Sequence, residues 1–202
     1  MKMKRILLLL FVGILSFTSN SQVEGTELGI DLTFSYSSSL YNTGTVGLGA
    51  KYGFLLSEEV IVGPSVRYHR TWTNNPFNTN ATTTGFNIYG GGGFIHYRFA
   101  NYLFLGSEIE ILKSPYTNNG FLSNTSSKWV STCLLGGGFS GMIGDSFRLN
   151  AGVMYDILDI PNTTDPSNPN PNSPLQPYVA RNKKTGAAIP IIYRIAFFIP
   201  IN

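Results

Sequence analysis

Few residues of this 202-residue chain have a type and spacing that could do chemistry. Glu108 and Glu110 stand two apart, so on a strand both carboxylates face one way. Paired carboxylates can serve general acid/base catalysis. His69 and His96 are the two histidines and Cys133 is the single cysteine. That set builds no zinc site and permits no intramolecular disulfide. The glycine runs 90–93 and 136–138 suggest phosphate loops, but neither a Lys-Ser/Thr pair nor a helical pattern follows them. A lipid-deacylating His-x-Ser cluster is missing as well: Arg70 and Thr71 follow His69, and Tyr97 and Arg98 follow His96. The expectation is therefore no catalytic residue, no cofactor and no metal.

Composition narrows the class. Charged residues are 12% of the chain, while Gly numbers 22, Phe 14 and Tyr 11. So many aromatics and so little charge argue against disorder and against a Lys/Glu-rich helical bundle. The formal charge of +3 invites a nucleic-acid partner. Three of the fourteen basic residues, Lys2, Lys4 and Arg5, fall in an apparent leader; the rest balance the eleven acidic ones. No basic patch remains to explain, so nucleic acid is not an expected partner.

Residues 1–21 have the layout of a secretory signal peptide. The basic start is followed by the apolar run Ile6–Leu15 and by Ser19 and Ser21 at a peptidase-like spacing. About ten apolar residues are too few to span a bilayer. Cleavage is expected before Gln22, and without a nearby cysteine no lipoprotein anchor forms. The mature domain is then 22–202.

Beyond residue 21 the chain alternates with period two. Leu28, Ile30, Leu32 and Phe34 alternate with Gly29, Asp31 and Thr33; similar runs occur at 46–54, 60–72, 103–111, 147–155 and 189–199. The glycine-rich segments 85–99 and 128–142 complete eight candidate strands. Bulges or tight bends are expected at Gly90–Gly93 and Gly136–Gly138. Strands of roughly 10–15 residues exceed the usual ~5–6 and match the length of membrane-crossing strands. Connections alternate in length: a polar segment at 37–43, then loops at 73–84, 113–127 and 157–187, separated by tight turns at 57–59, 100–101 and 144–145. Short turns on one side and long loops on the other are the habit of outer-membrane barrels. Aromatics fall into two belts. Trp72, Phe86, Tyr116, Trp129 and Tyr155 are near the loops, and Tyr52, Phe54, Tyr97, Phe99, Tyr102, Phe139 and Phe147 are near the turns.

The hairpin YRFANYLFLGSEIEI (97–111), the strand FRLNAGVMYDIL (147–158) and the final PIIYRIAFFIPIN (190–202) resemble the small eight-stranded outer-membrane barrels of the OmpX and OmpA-domain type, as found in Bacteroidetes. The resemblance covers about 22–202 and rests on pattern, with no catalytic motif. It implies an all-β fold: an eight-stranded antiparallel up-and-down transmembrane barrel in a Gram-negative outer membrane.

If the apolar face meets lipid, the other face lines the lumen. It carries Asp31, Lys51, Arg67, Arg98, Glu108, Glu110, Arg148, Asp156 and Arg194, with His69. An eight-stranded lumen is just wide enough for side chains to fill it, so these residues are expected to pair as a lumenal polar network. The Pro/Asn-rich loop 157–187 is too polar to pack. At its end Arg181, Lys183 and Lys184 are candidates for contact with lipopolysaccharide phosphates, or form a solvated basic stretch. The expected role is a non-enzymatic scaffold presenting loops for adhesion or an envelope partner. The expected partners are outer-membrane lipid, lipopolysaccharide and an envelope or extracellular protein. Two alternatives stand beside it: a soluble periplasmic lipocalin-like barrel binding an apolar ligand, and a lipid A-modifying enzyme.

Overall fold

The computed structural model describes residues 25–38, 42–74, 84–99, 102–114, 128–144, 146–158, 180–181, 188–189 and 191–201. The expected leader, Lys183, Lys184 and Tyr116 lie outside them, as do 75–83, 115–127 and 159–179.

Period-two alternation of apolar and small or polar residues makes strands that can bury one face only. Eight of them close on themselves: β1 (Thr26–Ser38), β2 (Asn42–Leu55), β3 (Val60–Asn74), β4 (Thr84–Phe99), β5 (Leu103–Ser114), β6 (Lys128–Ile143), β7 (Phe147–Asp156) and β10 (Ile191–Ile201). Each pairs antiparallel with its neighbours, and β10 returns to β1 through Thr26↔Ile201 to Phe34↔Tyr193. The short strands β8 (Ala180–Arg181) and β9 (Ala188–Ile189) pair antiparallel in a separate two-stranded sheet; β8 falls in the stretch expected to be loop, and β9 takes Ile189, which was expected to begin the final strand. Among the described residues no helix is long and apolar enough to cross a membrane.

The connections at one end are tight for local reasons. At 56–59 the Ser57 hydroxyl accepts from the Glu59 and Val60 amides at 3.3 and 3.1 Å. Tyr102 N–H donates to Phe99 O at 2.9 Å. Gly144 turns with a φ of 60°, which a side chain would resist. At the other end the β1–β2 ladder runs out to Ser38↔Asn42, leaving only 39–41 between the strands. The first outer connection is thus shorter than the polar segment expected at 37–43, because Ser and Thr there pair as well as apolar residues do.

The expected bulges are absent. Gly90–Gly93 pair in unbroken sequence with Arg67–Pro64 on one side and Leu112–Ile109 on the other. Gly136–Gly138 likewise pair without a slip on both sides. Phase is kept through both runs, so Phe86, Ile88, Phe94, His96 and Arg98 all point inward. This moves Phe86, 5% exposed, from the expected outer belt into the lumen.

The interior has two apolar plugs. Ile61, Phe94, Ala196 and Phe198 form one towards the tight-turn end, and Leu134, Met154 and Ile192 form the other. The outward face is apolar over its whole circumference, with Leu48, Val66, Leu105, Ile109, Phe139, Val153 and Tyr193 each between about two fifths and two thirds exposed. The arrangement is a water-soluble fold turned inside out.

Candidate functional site

Between the plugs the strands bring six charged side chains together. Asp31 comes from β1, Lys51 from β2, Arg67 from β3, Glu108 and Glu110 from β5, and Arg194 from β10. Each sits on the inward phase of its strand. Inward glycines leave the room they need: a Cβ on Gly49 would crowd Asp31 and the Arg67 guanidinium at 3.2 and 3.4 Å, and one on Gly106 would strike the His96 ring.

Lys51 Nζ donates to Glu108 Oε1 at 2.6 Å and lies 3.1 Å from Asp31 Oδ2. The Arg67 guanidinium spreads over four partners. Nε donates to Glu110 Oε1 at 2.6 Å, Nη1 to Thr33 Oγ1 at 3.0 Å, and Nη2 to Asp31 Oδ2 at 2.8 Å and Glu108 Oε2 at 3.4 Å. Arg194 reaches across from β10, pairing with Glu108 and donating from Nη2 to both Glu110 oxygens at 3.1 and 3.2 Å. His96 Nε2 meets Glu108 Oε1 at 3.1 Å. None of the six charged side chains is more than 5% exposed. Three carboxylates face three cations, so the cluster is neutral as a unit, the condition under which buried charge is tolerated.

Arg98, Arg148 and Asp156, counted from sequence with the same set, sit at other levels. Arg98 forms a two-pronged pair with Glu27, at 2.9 and 2.5 Å, below the lower plug. Arg148 Nη1 donates to Ser140 Oγ at 3.3 Å, and that hydroxyl is bonded to Asn150. Asp156 Oδ1 accepts the backbone amides of Cys133 and Leu158 at 3.2 and 3.1 Å. Cation–π contacts tie the lower plug to both charged levels: Lys51 lies 5.0 Å from the Phe94 ring and Arg98 lies 5.2 Å from Phe198. Sequence reasoning passed over Glu27 because it started the first strand at Leu28. Extending the odd-numbered phase of Asp31 and Gly29 by one step would have found it.

His69 is fully buried on β3, its ring over Gly47, while His96 belongs to the central cluster. Among the described residues no group of three or more His, Cys, Asp or Glu could hold a metal ion. Of the expected phosphate contacts, Arg181 falls in β8 by its backbone; its side chain, Lys183 and Lys184 lie outside the described residues.

Chemically, the central cluster is a set of cross-lumen struts. Both carboxylates of the Glu108/Glu110 pair are engaged by Lys51, Arg67 and Arg194, and buried apolar clusters flank them. The molecule falls in the class of closed eight-stranded antiparallel barrels with a charge-paired lumen. No protein-family model matches the chain, and no curated protein does. Among solved structures, the outer membrane protein Ail of Yersinia pestis, in a phospholipid bilayer nanodisc, is similar over 88% of this chain and 99% of that one, with 13% identity and a TM-score of 0.48.

Proposed function

We propose that this chain is an integral outer-membrane protein, a non-enzymatic barrel that holds its outer loops rigidly at the cell surface. The observation that carries the reading is the inversion of the fold: large apolar side chains ring the outside while paired charges fill the inside. Soluble monomers rarely expose a contiguous apolar patch beyond a few hundred Å². Barrel strands of 10 to 16 residues supply enough length. At ~3.4 Å per residue and a tilt near 40°, even the shortest rises about 26 Å, matching the ~25 Å apolar band of such barrels.

A lipocalin-like reading asks for an apolar cavity and a polar exterior, the reverse of both surfaces. A lipid A-modifying enzyme asks for a reactive group that substrate can reach. The paired carboxylates are buried and already matched by cations, and His69 is fully buried. The leader at 1–21 supplies export, and loops 73–84, 113–127 and 157–187 supply the interaction surface, with envelope or extracellular protein and lipopolysaccharide as the partners.

Fractionation with a heat-modifiability gel tests this. Recovery in the detergent-extracted outer membrane with a mobility shift on boiling is expected; recovery in the soluble periplasm would overturn it. Deleting 161–177 should leave the mobility shift intact and weaken surface binding. Loss of assembly in that variant would make the loop a structural part.

A further inference from the structure

On the inward face the charges are matched within the protein. The outward face is different. Among its described strand residues the only charged ones are Arg70 and Lys113, and no Asp or Glu accompanies them. They are neighbours on the barrel surface. Arg70 on β3 pairs across the ladder with Asn87 on β4, and Lys113 on β5 pairs with Tyr89, two residues further along β4. Two ladder spacings across and two residues along put their Cα atoms about 12 Å apart, within joint reach of one headgroup for side chains of this length.

The patch is built rather than scattered. The Arg70 guanidinium lies across β4 where Gly85 leaves it space, since a Cβ there would meet Nη2. Its Nη1 donates to Asn87 Oδ1 at 2.7 Å. Lys113 Nζ donates to the Tyr89 hydroxyl at 3.2 Å and lies 5.4 Å from the Tyr89 ring. Tyr89 in turn packs edge-on against Trp129 on β6, centroids 6.0 Å apart. Trp72 lies two residues beyond Arg70, over Gly44. Two cations thus sit among exposed aromatics near the loop end of the barrel, where headgroups begin. A cation on an otherwise apolar exterior needs an anion, and none stands on that face among the described residues. Asn87 and Tyr89 orient the cations while leaving their charge uncancelled.

We propose that Arg70, Asn87, Tyr89 and Lys113 form a headgroup site on the barrel wall that takes an anionic, phosphate-bearing lipid of the surrounding leaflet. The site rests on the reading of this chain as a membrane barrel and goes beyond it by naming which wall of the barrel selects which lipid. Arginine matches phosphate oxygens with paired donors, lysine adds a point charge, and the aromatics hold the acyl–headgroup boundary.

The chain contains two tryptophans, Trp72 and Trp129, and both flank the site, so intrinsic fluorescence reports on it directly. The protein would be refolded into vesicles of phosphatidylcholine containing brominated phosphatidylglycerol, and in parallel into vesicles with brominated phosphatidylcholine. Quenching by the anionic lipid is expected at roughly three- to tenfold lower mole fraction, a preference that fades near 1 M salt as the Debye length falls to about 3 Å. The double variant Arg70→Gln with Lys113→Gln should lose that preference and keep the quenching and the heat-modifiable band. Both side chains are on the surface, so folding should be spared; the wild-type comparison decides the matter even if it is not. Equal quenching by both lipids, or a preference that survives the double substitution, overturns the site while leaving the membrane barrel standing. No quenching by either lipid overturns the membrane reading and the site with it.

Discussion

Glu108→Gln is expected to destabilise the barrel by about 3–5 kcal/mol, the cost of leaving buried charge without its partner. Lys51, Arg67 and Arg194 all pair with it, and the His96 ring meets it as well. Glutamine keeps the shape and removes the charge, so three buried cations would face two carboxylates. Combining it with Lys51→Met restores the balance. Because replacing a whole buried pair is often nearly neutral, the double variant should recover at least half of the loss, by a rough reading of that rule. Urea unfolding in vesicles, followed by tryptophan fluorescence, measures both. A loss under about 1 kcal/mol for Glu108→Gln would mean that water reaches the cluster and solvates it, a cost seen at exposed pairs.

Leu48→Arg should cost about 2–4 kcal/mol, because a cation would stand near the bilayer midplane. Leu48 is outward, 56% exposed, and in the middle of β2. Tyr102→Arg, in the turn-end aromatic belt and 70% exposed, should cost about 0–1 kcal/mol, because the charge reaches headgroups and water there. The contrast between the two is the useful quantity. In a barrel surrounded by water both would be surface substitutions, within about 0.5 kcal/mol of no effect. Equal, small effects in the vesicle-inserted protein would therefore remove lipid from the description of the outer wall.

How much of this was legible in the sequence depends on which residues carried the phase. Where large apolar residues marked every second position, as at Leu28–Phe34, Val46–Phe54 and Leu103–Ile111, the outward face and the inward charges opposite it could be read directly. The glycine runs hid the phase, since glycine belongs equally to either face. Breaks were expected at 90–93 and 136–138, where the strands in fact continue. Phe86 was counted in the loop-end belt for its nearness to the loop, but its phase along β4 turns it into the lumen. The inward set was legible as a list but not as geometry. Period two says that Arg98 and Arg194 share a lumen; it does not say that one clasps Glu27 below the plug while the other crosses to Glu108 and Glu110. Those pairings depend on register and height, which ladder geometry fixes. The patch at Arg70 and Lys113 went unread because it takes two strand neighbours, β4 and β5, to bring those residues side by side.

The central cluster also draws its members from both ends of the chain in time. Asp31, Lys51, Arg67, Glu108 and Glu110 are all made before Arg194, which arrives on the last strand. Until β10 is laid against β1 and β7, the half-built lumen holds three carboxylates against two cations. An open sheet missing its final strand is therefore left one charge short of neutrality, as well as with two unpaired edges. Completion of the hydrogen-bond seam and completion of the charge balance are the same event, so a truncated or misregistered chain has no comfortable place in which to stop.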